Sequence, residues 1–155
     1  MSSGDHSEFL KRQNYRAFNI VIHRIITCNK KLYDMKIKQS PTCNFCTAID
    51  DICHFFIYCA DIKNYWVSFY DWFNRANNAI VIQLDLPHDE FHILFGYASQ
   101  EDVFQVLNYC ILYSKYYILR QRLYGSNSVD IQGFLRELKY NMNIEKVNIN
   151  GIFNF

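Results

Sequence analysis

PTCNFCTAIDDICHFFIYCADIKNYWVSFYDWFNRA, residues 41–76, is the stretch on which the fold turns. Its first half sets Cys43, Cys46, His54 and Cys59 in the order C-x2-C-x7-H-x4-C, and its second half repeats bulky apolar residues at Ile62, Trp66, Phe69 and Phe73. Intervals of four, three and four put those side chains on one face of a helix. A structural zinc ion wants four nitrogen or thiolate ligands in a tetrahedron, and C-x2-C supplies two thiolates from one tight turn whose amides can point at sulfur. One turn of helix after His54 brings the imidazole and the Cys59 thiolate to the same side. The stretch therefore predicts a Zn2+ site ligated by Cys43, Cys46, His54 and Cys59 that leads straight into a core helix.

Two competing explanations of the cysteines are weaker. A disulfide between Cys43 and Cys46 would close a small strained ring, and nothing at the N-terminus, MSSGDHSEFLKRQ, combines a basic flank, an apolar run and a cleavage site. Buried free cysteine is the serious rival, since Cys is among the most buried residue types. Three Cys and one His falling in knuckle order by chance within so short a run is the less economical account. Cys53, next to His54, leaves a second ligand set open, an all-thiolate site. His54 is favoured because neighbours on a helical turn point about 100° apart and the four-residue gap to Cys59 suits a knuckle. Cys28 and Cys110 lie on or beside apolar stripes and read as core. His23, His88 and His92 lack partners at ligand spacing and read as satisfied or solvated.

The chain has 155 residues, half of them hydrophobic, enough for one domain with a sizeable core but hardly for two. Aromatic residues make up 17%, whereas 5 Gly and 2 Pro leave little turn chemistry for an all-β sandwich. The expected class is mainly α, a small helical domain over residues 15–141 with a CCHC zinc knuckle inserted at 41–59. A polar segment, 1–14, precedes it and a weakly ordered tail, 142–155, follows. Net charge is only +1, yet residues 11–40 carry eight Lys or Arg against the single acid Asp34, so positive charge runs directly into the knuckle. No window reads as a clean membrane span, because VFQVLNYCILYSKYYIL from Val103 is broken by Gln105, Asn108, Ser114 and Lys115. The expected setting is intracellular, nucleus or cytoplasm, with no membrane partner.

NYRAFNIVIHRIITCNKKLYDM predicts an amphipathic helix with a basic outer side, fraying near Asn29, and Pro41 makes KIKQSP an extended approach to the knuckle. Trp66 and Trp72 are expected as core anchors. NNAIVIQLDLPHDEFHILFGYAS contains a β-branched run that suits a strand fragment or a packed loop. SQEDVFQVLNYCILYSKYYILRQRLYG predicts a long helix with Ser99 as N-cap, a stripe of Val103, Leu107, Cys110, Ile111 and Ile118, and an end near Gly125. A last helix follows Ser128, with Ile131, Phe134, Leu135 and Leu138 on one face.

KKLYDMKIKQSPTCNFCTAIDDICHFFIYCADIKNYW resembles the zinc-binding segment that follows the polymerase domain in reverse transcriptases of non-long-terminal-repeat retrotransposons. There an I-x-x-S-P-x-C-x-x-C approach leads to E-x-x-x-H-x-F-x-x-C and a Trp-bearing helix. Ile37, Ser40, Pro41, Cys43, Cys46, His54, Phe56, Cys59 and Trp66 stand at those places. ILFG from Ile93, LNYCILYSKYYI from Leu107 and FLRELKY from Phe134 are similar to the helical tail of the same elements, so the likeness spans roughly residues 15–147. The family's acid before the histidine is matched by Asp50 or Asp51.

The resemblance implies a zinc-binding C-terminal piece of such an enzyme, contacting RNA or DNA beside the polymerase region of its parent. The paired-aspartate motif of a polymerase and any carboxylate and lysine set of a nuclease are both missing from the sequence, so the chain is expected not to be an enzyme. Lys30, Lys31, Lys36 and Lys38 are the candidates to track a phosphate backbone, and Phe45, on the knuckle turn, to stack on an unpaired base. The alternative is a zinc-stapled helical scaffold that docks on another protein. Four protein ligands leave no open position for a catalytic zinc.

Overall fold

The computed structural model describes residues 28–77, 82–83, 89–124 and 128–144. The described chain is mainly helical, and no strand occurs among the described residues beyond one isolated antiparallel bridge, Thr42 to Ile49. In chain order the helices are α1 (Asn29–Asp34), a π-helical turn (His54–Tyr58), α2 (Ala60–Ala76), α3 (Glu90–Phe95), α4 (Asp102–Leu123) and α5 (Ile131–Ile144). None of them is long and apolar enough to cross a membrane.

Helix α2 forms where the apolar period predicts it. Ile62, Trp66, Phe69 and Phe73 have no solvent exposure, and Tyr65 and Tyr70 are 2% exposed. Asp61 in its first turn and Arg75 in its last complement the helix dipole. Each such side chain contributes on the order of 1.5–3 kcal/mol by leaving water. Trp72 is half-buried against the same core, as an anchor at its edge.

Phe134 of α5 is the meeting point of three helices. Its ring lies 5.8–6.3 Å, centroid to centroid, from Tyr65, Phe69 and Trp72 of α2 and from Tyr113 and Tyr117 of α4. Such aromatic contacts contribute beyond simple area, which explains how so many rings serve one core. The buried Tyr65 hydroxyl donates to Ser114 Oγ at 2.8 Å, so α4 answers the polar tip of α2. An Arg120–Glu137 ion pair ties α4 to α5 at the rim.

Helix α4 buries Leu107, Cys110, Ile111 and Ile118 of the expected stripe and leaves Val103 half-buried. It also buries Val106, Tyr109, Ser114, Lys115 and Tyr117, more than one face can hold, because α2, α3 and α5 all lean on it. Its start differs from the expectation: Glu101 is the N-cap, in extended conformation, and Ser99 Oγ, two residues earlier, accepts the Glu101 amide at 3.3 Å. Helix α5 is capped by Asp130, whose carboxylate accepts the amides of Gln132 and Gly133 at 3.1 and 2.8 Å. It runs on to Ile144 and buries Met142.

A second difference concerns α1. A helix starts at Asn29 instead of fraying there, with Cys28 extended before it. The Asn29 amide donates to Asp50 Oδ2 at 3.0 Å, which satisfies a first-turn donor that no residue earlier in the helix can. The helix ends in a Schellman motif: the Lys36 amide donates to Tyr33 O and the Ile37 amide to Leu32 O, both at 2.8 Å, with Lys36 at φ 59°. Most of the β-branched run at 77–88 and the basic helix before residue 28, with Arg16, Arg24 and His23, lie outside the described residues, as does His88.

The short helix α3, which periodicity did not reveal, stops at Gly96, whose φ of 87° and ψ of 173° belong to a region essentially reserved for glycine. The chain then runs past Asn108, which pairs with Tyr97 in both directions: the Tyr97 amide donates to Oδ1 at 2.7 Å and Nδ2 donates to Tyr97 O at 2.9 Å. His92 is half-buried and stacks on Tyr97 with ring centroids 4.2 Å apart, and its buried Nδ1 has no hydrogen-bond partner among the described residues, so that nitrogen is not satisfied as expected.

Candidate metal centre

Cys43 and Cys46 sit on a loop closed at its base by the Thr42–Ile49 bridge. The Cys43 amide donates to Ala48 O at 2.8 Å and the Asp50 amide to Pro41 O at 2.9 Å. Inside the loop the Phe45 amide points at Cys43 Sγ, 3.4 Å away, as the C-x2-C turn predicts. Asp51 opens the other half of the site: its carboxylate accepts the His54 amide at 2.8 Å and its carbonyl the Phe55 amide at 2.8 Å.

The turn after His54 is wider than an α turn, closed by the Cys59 amide on His54 O at 3.1 Å. In an α-helix residue i+5 lies about 140° round from residue i. A π turn, with its i to i+5 bond, stacks Cys59 over His54 and so matches the H-x4-C spacing to a shared metal. Two more carbonyls of this turn accept from side chains of other helices. Trp66 Nε1 donates to Phe56 O at 2.6 Å and Arg122 Nη1 to Phe55 O at 2.9 Å.

The result is a cluster in which one donor atom from each of Cys43, Cys46, His54 and Cys59 lies within 4.8 Å of every other. Cys43 Sγ and Cys59 Sγ are 3.9 Å apart, and Cys46 Sγ lies 3.2 Å from His54 Nε2. Ligands of a tetrahedral zinc are about 3.5–3.8 Å from one another, given Zn–S near 2.3 Å and Zn–N near 2.0–2.1 Å. The donors present therefore fit a four-coordinate divalent metal ion. None of the six cysteines is in a disulfide. Cys43 and Cys59 are buried and Cys46 is half-exposed.

Electrostatics suits ligation. Burial lowers the His54 imidazole, favouring the neutral form that binds a metal. Burial alone would raise the Cys43 thiol, but amide hydrogen bonds from Phe45 and Cys46 and the Arg122 guanidinium reverse it, and the net direction is down. Cys59 is pushed up to about 11, chiefly by burial, the cost a metal removes when it takes the proton's place.

Cys53 is directed elsewhere. Its thiol donates to Glu90 Oε1 at 3.0 Å, and the Tyr58 hydroxyl donates to Glu90 Oε2 at 2.5 Å. Burial and that carboxylate push Cys53 up to about 12, so it stays a protonated donor. The imidazole, and not this thiol, lies among the other three donors.

The sequence did not single out Arg122 or Asn29, which frame the cluster together with Asp50. Arg122, on the last turn of α4, donates through Nη2 to Cys43 Sγ at 3.1 Å and to Asp50 Oδ1 at 2.9 Å. Its guanidinium carbon lies 4.1 Å from the Phe55 ring centroid and 5.1 Å from that of Phe45. The pair is dry, with side chains 4% and 2% exposed. Asn29 continues the network, donating through Nδ2 to Thr42 O at 2.6 Å and to Asn44 Oδ1 at 3.2 Å. Of the two neighbouring acids, Asp50 is ion-paired with Arg122 and Asp51 starts the turn. An acid before the histidine was the available signal; an arginine more than 60 residues downstream left only a basic residue in a last helical turn.

The five residues expected to contact nucleic acid differ in exposure and in the partners they have within the chain. Lys30 is exposed and pairs with Asp34 at 2.8 Å. Lys31 is half-buried, Lys36 exposed, and Lys38 donates to Asn29 Oδ1 at 2.7 Å. Phe45 is half-buried with its ring toward Arg122.

No protein-family model, curated protein or solved structure matches this chain. The site and the helices around it define a small helical domain that can hold a metal ion.

Proposed function

We propose that the chain is a non-catalytic, zinc-stapled helical domain that contacts RNA or DNA through the lysines leading into its metal centre. The convergence of Cys43, Cys46, His54 and Cys59 within 4.8 Å is the observation that carries the zinc reading. Three thiolates and an imidazole are the donors zinc takes in structural sites, and four protein ligands complete its tetrahedron. The nucleic-acid part is supported by Lys30, Lys36 and Lys38, exposed on the segment that enters the knuckle, and by the resemblance to the retrotransposon segment.

Docking on a protein is the second reading. It is favoured by the partners that Lys30 and Lys38 already have within the chain and by two aromatic side chains on α3, Phe91 and Phe95, which are 62% and 41% exposed.

Native mass spectrometry for bound zinc, combined with single-strand binding across a salt series, tests both parts. Each phosphate contact contributes roughly 0.7 to the slope of log affinity against log salt. Replacing Lys30, Lys31, Lys36 and Lys38 together by Gln should flatten that slope while metal content and helicity persist. A parent that fails to bind at low salt, or a quadruple variant that binds like the parent, transfers the assignment to protein docking.

A further inference from the structure

Three candidates stand outside the ligand set: the buried Lys115, the exposed Phe91–Phe95 pair, and the Arg122–Asp50 pair. The first is already engaged by the Leu94 carbonyl, and nothing shows what covers the second. The third reaches the metal cluster itself.

We propose that Arg122 is a positioning residue of the metal centre, holding the Cys43 thiolate by a hydrogen bond and spreading its negative charge into the helical core. The inference rests on the metal reading above. Three thiolates, a neutral imidazole and a divalent ion leave the centre with a net negative charge, which is costly beside buried rings unless a cation answers it. Arg122 is the cation in place, its charge shared between Asp50 and the thiolate: Nη2 is 3.1 Å from Cys43 Sγ. Its plane is fixed on three sides, by Asp50 at 2.9 Å, by the Phe55 carbonyl at 2.9 Å, and by the rings of Phe45 and Phe55. Lysine, with a compact ammonium head, cannot reproduce this planar fork. The same guanidinium touches both halves of the site, the Cys43 loop through sulfur and the His54 turn through the Phe55 carbonyl. It therefore sets the distance between two ligands that come from different loops.

Arg122→Met alone strands a buried Asp50 and would fail for that reason only. Arg122→Met combined with Asp50→Asn removes the pair without leaving a charge behind. Cobalt(II) is the probe, because its thiolate charge-transfer band reports hydrogen bonding at sulfur. The double variant should keep its helices, bind cobalt about 10- to 100-fold more weakly than the parent, and show a displaced band, since residues that hold metal ligands typically carry that much affinity. Parental affinity and band in the double variant would overturn the inference and leave the metal reading standing. A parent without a tetrahedral cobalt spectrum would bring down both. Should the double variant not fold, the cadmium-113-loaded parent decides: Arg122 Nη protons coupled to the metal through sulfur support the inference, and uncoupled or freely rotating ones refute it.

Discussion

Replacing Lys115 by Met should abolish a specific alkaline gain in stability. The Lys115 ammonium is almost wholly buried in α4, and its Nζ donates to Leu94 O, at the end of α3, at 2.8 Å. Burial lowers it from the usual 10.5 to about 8. Its folded value thus lies below its unfolded value, and between the two the unfolded chain carries the extra proton. Raising pH through that window removes the penalty of burying charge, so stability should rise from about pH 8 to about pH 10.5. A separation of about 2.5 units at 1.36 kcal/mol each gives a rise of roughly 3 kcal/mol. At pH 7 the Met variant sheds that penalty but leaves the Leu94 carbonyl without this donor, a loss of about 1–3 kcal/mol, so the two effects nearly cancel there. The slope is the discriminating quantity. Urea unfolding of the metal-loaded proteins at intervals from pH 7 to pH 11, taken as the difference between parent and Lys115→Met, isolates it from other titrating groups. Parallel curves across the window would refute the buried-ammonium argument.

Other outcomes follow from the site and the turns. His54→Ala and Cys59→Ser should each lose stoichiometric metal and lower the melting temperature, whereas Cys53→Ser should retain the metal, because its thiol serves Glu90; metal analysis after gel filtration distinguishes them, and metal loss in Cys53→Ser alone would move the ligand. Gly96→Ala should lower stability by about 1–3 kcal/mol, since φ is 87° and a Cβ would stand 2.9 Å from Asn108 Oδ1, the atom that accepts the Tyr97 amide. An unchanged urea midpoint would show that this turn relaxes freely.

The helical core was readable wherever one face alone is buried. Ile62, Trp66, Phe69 and Phe73 keep the α period because α2 has a solvent side, and Phe134 and Leu138 do so for α5. Helix α4 gave its existence but not its surroundings, since residues such as Tyr117 and Lys115 are buried outside the predicted stripe. Ligand spacing revealed the four donors because short-range geometry sets which donors can share a metal. It could not reveal Arg122, which reaches Cys43 from 79 positions away and whose only local trace is a basic residue in a last helical turn. Phe45 shows the same limit: its place on the knuckle turn suggested a stacking ring, and nothing local foretold the distant guanidinium that lies 5.1 Å from its centroid.

The π turn at His54–Tyr58 bears on which insertions and deletions the chain tolerates. A π turn is in effect an α turn with one residue inserted. Removing any one residue between His54 and Cys59 would let an ordinary α turn close there, with the imidazole and the thiolate no longer stacked. Cys59 also begins α2, so dragging it back toward the metal would rotate the stripe of Ile62, Trp66, Phe69 and Phe73 out of phase with the core by about 100°. A shortened chain would have to forfeit either its fourth ligand or its packing. The extra residue is thus a phase setting between metal chemistry and hydrophobic core, and length variation in this lineage should spare residues 54–59 while the loops between helices drift.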